Sequence, residues 1–179
     1  GRNQRVNDNA KFQYDAGVVL QRWGDVRYSE ADFESTDKPL FALAGQYEQN
    51  SLFFTTTGND LKREIWGGDA VFKYKGLFLM AEYFNRKFTP ETAPTFDSPG
   101  YNLEAGYNFA HRKWQVAFRY ASWDPSDLVA DNDRSEIGGA VDWYYNRHFA
   151  KIQADFRQLE NKAANTKDKE FRLQTQLYF

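Results

Sequence analysis

Hydrophobic and polar residues alternate with a period of two along almost the whole chain, and a helical period is nearly absent. The closing stretch, EFRLQTQLYF, sets the pattern: Phe171, Leu173, Thr175, Leu177 and Phe179 share one face, and Arg172, Gln174, Gln176 and Tyr178 the other. Reading backwards, FAKIQADFRQ sets Ala150, Ile152, Ala154 and Phe156 against Lys151, Gln153, Asp155 and Arg157. EIGGAVDWYYN sets Ile137, Gly139, Val141 and Trp143 against Gly138, Ala140, Asp142 and Tyr144, and KWQVAFRYAS sets Trp114, Val116, Phe118 and Tyr120 against Gln115, Ala117 and Arg119. The same alternation in YNLEAGYNF, LFLMAEYFNR, IWGGDAVFKY, LFALAGQYEQ and KFQYDAGVVLQ predicts about nine strands in all. Each runs for about 9–11 residues, the length a tilted strand needs to cross a bilayer.

The connections carry a second pattern. NRH at 146–148, AHRK at 110–113 and KYKG at 73–76 read as tight turns, whereas DPSDLVADND, KFTPETAPTFDSPG and NKAANTKDK read as long polar loops. Alternating short and long links are expected of an up-and-down barrel in an outer membrane, with short periplasmic turns and long external loops. The link at 23–39, WGDVRYSEADFESTDKP, breaks the rule, being long where parity demands a short turn.

Composition sharpens this. Aromatic residues are 18% of the chain and charged residues 27%, so rings and ionised groups must be sorted onto opposite faces. One face is apolar with aromatic ends, and Trp114, Trp143, Tyr101 and Tyr107 suit a belt at the hydrocarbon boundary. The other carries Lys73, Arg86, Arg119, Lys151, Arg157 and Arg172 with Asp15, Asp69, Glu82, Glu104, Asp142 and Asp155. That many ions would be ruinous in a dry core, so a water-filled interior is expected. Six basic positions against six acidic ones favour cross-strand pairing over a bare cationic ladder. The glycine pairs of WGGD and IGGA mark places where backbones approach or the wall bends.

Other chemistry is thinly represented. Cysteine is absent and the formal net charge is -2, which excludes disulfides and thiolate metal sites and gives nucleic acid no basic surface to bind. There is no apolar run of about 18 residues for a membrane helix. GRNQRVNDNA reads as loop sequence without an initiating Met, so the start is expected to be a cut or a processing site. No nucleophile elbow, zinc-binding His pair or phosphate-cradling loop occurs, so no catalytic residue, metal or cofactor is expected. DPSDLVADNDRSE lacks the ordered ligands of a calcium loop, and His111 and His148 read as surface turn residues.

GYNLEAGYNFAHRKWQVAFRYASWDPSD, EIGGAVDWYYNRHFAKIQADF and the closing RLQTQLYF resemble the phosphate-selective porin O and P family. Arg119, Tyr120, Asp124, Pro125, Gly138, Gly139, Tyr144, Asn146, His148, Lys151, Gln153, Asp155, Arg172 and Gln174 stand at matching places. The link at 23–39 is similar to the family's GYSEgDLe…KP connection. The resemblance implies an outer-membrane barrel of about 16 to 18 strands, usually trimeric, that passes small hydrophilic solutes or anions such as phosphate. Residues 1–179 are then the C-terminal part of one barrel domain. It also implies that Phe171, Leu173, Leu177 and Phe179 form the sorting signal ending such barrels. The candidate pore-lining set is Lys73, Arg86, Arg119, Lys151, Arg157, Arg172, Asp15, Glu104, Asp142 and Asp155. Expected partners are outer-membrane lipid, small solutes, and either two further copies or a larger envelope assembly in which the barrel is a structural anchor. A soluble, carbohydrate-binding β-sandwich is the reading that membrane insertion would exclude.

Overall fold

A computed structural model describes residues 11–26, 31–32, 35–54, 58–111, 113–146 and 149–178, apart from the side chain of residue 54. Nine antiparallel strands follow one another in a single sheet, β1 (Tyr14–Arg22), β2 (Leu40–Phe54), β3 (Asn59–Tyr74), β4 (Leu77–Pro90), β5 (Phe96–Phe109), β6 (Trp114–Trp123), β7 (Arg134–Asn146), β8 (Ala150–Asn161) and β9 (Thr166–Leu177). Each strand pairs with its sequence neighbours, which is the up-and-down order that the alternation predicts. Among the described residues β1 and β9 have one neighbour each, so both outer edges of the sheet are unpaired.

The predicted faces survive in the register. Ala81 pairs with Leu103 and Leu103 with Tyr120, so apolar meets apolar; Glu104 pairs with Arg119 and Asp155 with Arg172 on the other side. Leu79, Leu103, Val116, Phe118, Ile137 and Val141 are all exposed, forming an apolar band on one face of the sheet. Aromatic rings border that band at both ends. Trp66 lies 5.4 Å from Tyr83 and Tyr101 5.8 Å from Tyr120 at one end, and Trp114 lies 6.5 Å from Trp143 at the other. That order of apolar middle and aromatic borders is what a bilayer selects.

The β3–β4, β5–β6 and β7–β8 links share one end of the sheet, called the lower end below. The β3–β4 hairpin turns on Lys75 and Gly76, both at positive φ (49° and 88°), as a two-residue turn that matches strand twist requires. At the upper end two expected long loops prove short. KFTPETAPTFDSPG is strand up to Pro90 and again from Phe96, and NKAANTKDK is strand except for 162–165. The strands continue beyond the apolar band, where water wets both faces; alternation fades there although backbone pairing persists. For the same reason β2 to β5 run to 14–16 residues, longer than a bilayer crossing needs.

The glycine pair of WGGD marks a close approach of backbones. A Cβ added to Gly67 would stand 2.3 Å from the Tyr83 carbonyl oxygen, and one added to Gly68 would stand 2.6 Å from that of Ala44. Gly67→Ala is therefore expected to cost about 1–3 kcal/mol, read as a lower urea midpoint for the protein unfolding from lipid vesicles; an unchanged midpoint would contradict this packing.

Candidate functional site

The polar face is a continuous network rather than a row of separate charges. It begins on β4 and β5, where Asn102 Nδ2 donates to Glu82 (2.8 Å) and Glu104 (3.2 Å), and Asn102 Oδ1 accepts from Arg119 Nε at 3.0 Å. Arg119, on β6, also stands 3.6 Å from Glu104 and 4.0 Å from Glu136 of β7. Arg157 of β8 bridges Glu136 at 3.5 Å and Glu170 of β9 at 2.6 Å, and Arg172 holds Asp155 at 3.0 Å with Glu170 3.9 Å away. Cross-strand neighbours on one face lie about 5 Å apart, so long side chains at alternating signs reach one another from strand to strand.

Below this ladder the side chains shrink. Gly106, Ala117, Gly138 and Ala140 floor a recess of about 200 Å³ that is rimmed by Arg119, Arg157 and Arg172. Its lower border is a hydrogen-bonded chain: the Tyr144 hydroxyl donates to Gln115 Oε1 at 2.6 Å, and Gln153 Nε2 donates to the buried Asp142 at 2.9 Å.

The remaining candidate residues lie apart from the recess. Lys151 is nearly buried, with Nζ 6.0 Å from the Tyr144 ring. Arg86 donates to Ser98 Oγ at 3.3 Å and lies 5.5 Å from the Phe84 ring. Asp15, on the edge strand β1, accepts from Gln13 at 3.0 and 3.1 Å. Phe171, Leu173 and Leu177 are exposed on the apolar face of β9; Phe179 lies outside the described residues, as do Arg112, Arg147 and His148. His111 is an exposed turn residue at positive φ. In the loop at 124–133 three carboxylates are occupied by protein: Asp124 accepts from the Ser126 amide (2.8 Å), Asp127 from the Asp97 amide (2.9 Å), and Asp133 holds Lys162 at 2.6 Å, a bond that raises the lysine's pKa above its ordinary value.

Lys73 shows what sequence reasoning missed. It is 4% exposed, and the described residues Val26 and Asp32 of the irregular link at 23–39 lie over the lower polar face beside it. Val26 of that link is wholly buried against Ala42, Val71 and Phe78, with Leu40 and Met80 around them. Gln21 Oε1 accepts from the Val26 amide at 3.1 Å. Asp32, 2% exposed, is the clasp: its carboxylate accepts from the Gly76 amide of the β3–β4 turn (2.8 Å) and from the Thr36 amide (3.1 Å), and its own amide donates to Asn108 of β5 at 3.2 Å. The carboxylates of Asp32 and Asp25 both act electrostatically on Lys73. The signal was present in the sequence: Leu40, Ala42, Val71, Phe78 and Met80 are apolar on a face that is otherwise polar, so something had to cover them. Glu136 and Glu170 were equally legible, each two residues beyond a residue already placed on that face, Gly138 and Arg172.

A family model described as phosphate-selective porin O and P matches residues 44–179. The fold is similar to that of OmpT, an outer membrane protein of Vibrio cholerae. The in-vitro folded form matches at 14% identity and a TM-score of 0.55, covering 92% of this chain and 52% of that one. A form lacking loop L8 matches at 15% identity and a TM-score of 0.58, with 92% and 53% covered, and the outer-membrane expressed form at 14% and 0.54, with 90% and 53% covered. The chain thus spans about half the length of the OmpT chains it matches. No curated protein matches it.

Proposed function

The chain belongs to the phosphate-selective porin O and P family, and we propose that it forms part of the wall of a water-filled outer-membrane pore through which small hydrophilic solutes diffuse. The observation that carries this reading is the division of the sheet. An exposed apolar band bordered by aromatic rings stands back to back with a hydrated ladder of charges. Hydrocarbon on one side and water on the other is the environment in which neither face is costly. The lower end, with its two-residue β3–β4 turn, is the periplasmic end in this reading. Transport is passive, with no chemical step.

The unpaired edges of β1 and β9 complete the proposal. Backbone amides and carbonyls cannot be left open in hydrocarbon, so further strands, of the same polypeptide or of another copy, close the barrel. Residues 1–179 then form the C-terminal part of a single barrel domain, and the exposed Phe171, Leu173 and Leu177 with Phe179 serve as its sorting signal. Outer-membrane lipid is the partner of the apolar band. A phosphate preference, which the family's description suggests, would have to draw on strands outside this sheet, because here every arginine of the ladder is shared with carboxylates.

The test is planar-bilayer recording of the purified full-length protein. Stepwise ohmic currents are expected. Absence of conductance together with stoichiometric co-purifying proteins would replace the channel reading with that of a structural anchor, and the native mass in detergent decides whether the assembly is the expected homotrimer.

A further inference from the structure

The recess on the polar face has a charge balance unlike that of an oxyanion site. Three guanidiniums, those of Arg119, Arg157 and Arg172, line it with four carboxylates, those of Glu104, Glu136, Asp142 and Asp155, an excess of one negative charge, and Glu170 adds another beside Arg157 and Arg172. The charges are also layered. The Arg119 and Arg172 side chains are 51% exposed, whereas Glu104, Glu136 and Asp155 are only 15–24% exposed, so guanidinium edges meet the water and carboxylates stand behind them. Arg119 spends Nε on Asn102, and among the described residues no hydrogen bond engages its Nη groups.

A guanidinium with an open edge takes a carboxylate side by side through two N–H donors. A bare phosphate arriving there meets the excess negative charge of the recessed carboxylates. A solute that carries an ammonium beside its carboxylate meets a partner for each. The floor of Gly106, Ala117, Gly138 and Ala140 leaves about 200 Å³ above it, room for a molecule of several non-hydrogen atoms. We infer that this recess is a binding station for zwitterionic solutes of amino-acid size rather than for inorganic phosphate. The inference rests on the reading of the polar face as a pore wall.

Its test is the KCl current through the full-length protein in a planar bilayer, titrated at neutral pH with L-alanine and, separately, with inorganic phosphate. L-alanine is expected to reduce the current saturably while phosphate at the same concentration does not. Arg119→Gln and Glu136→Gln should each weaken the L-alanine effect about tenfold or more, the loss of one charged hydrogen bond. Glu136→Asp keeps the charge and should retain the effect, separating loss of charge from loss of folding. Reduction by phosphate alone, or sensitivity to Arg119→Gln without sensitivity to Glu136→Gln, would make the recess a plain anion site and overturn the inference while leaving the channel intact. No current under any condition would overturn the channel reading itself, and this inference with it.

Discussion

Asp32→Ala is expected to open the lower end of the pore and to destabilise the barrel together. The buried Asp32 carboxylate accepts hydrogen bonds from the Gly76 and Thr36 amides and acts electrostatically on Lys73. Removing the carboxylate leaves two amide donors without their acceptor, at about 1–3 kcal/mol for each buried group. Without the clasp the link at 23–39 loses its hold on the β3–β4 turn, and the burial of Val26, a contribution of about 1.5–3 kcal/mol, goes with it. Unfolding from lipid vesicles should then begin at lower urea, and single-channel conductance should rise because Val26 and Asp32 no longer cover the lower polar face. Asp32→Asn, which keeps an acceptor oxygen but no charge, should fall between the two. Wild-type conductance and stability in Asp32→Ala would mean that the inward segment is held by its apolar contacts alone.

Leu103→Arg is expected to cost about 1–3 kcal/mol of stability in the bilayer, whereas Ala117→Arg, one strand away and on the opposite face, should cost far less. Leu103 lies in the apolar band just inside its Tyr101–Tyr120 border and is exposed, so a guanidinium there meets hydrocarbon. Ala117 lies in the floor of the recess, where an added arginine has water and the carboxylates Glu104 and Asp142 nearby. Vesicle-based unfolding measures both. In a soluble sandwich the order would reverse, since an exposed leucine tolerates replacement and a residue on the packed face does not. Comparable costs for the two substitutions would remove the assignment of the faces.

Ala117→Arg would also crowd the recess between Arg119, Arg157 and Arg172, so its conductance should be lower than wild type even where its stability is preserved.

Alternation by itself determined the strands, their order and which side of each faced lipid. A period of two admits only one sorting of Leu103, Val116, Phe118 and Val141 away from Glu104, Arg119 and Asp142, and neighbouring strands joined by tight turns have little choice but to pair. The ends of β2 to β5 were less legible, because beyond the apolar band solvent wets both faces and hydrophobicity no longer reports on direction. What only the tertiary structure decided is how the polar face is used. Which carboxylate each arginine meets depends on the lateral stacking of five strands, so Arg157 lies between Glu136 and Glu170, residues far from each other in sequence. The fate of Lys73 depended on a link with no periodicity at all. The side chains of Val26 and Asp32 acquire their roles from surfaces supplied by β2 to β5, and an aperiodic segment carries no local record of the surface on which it will land.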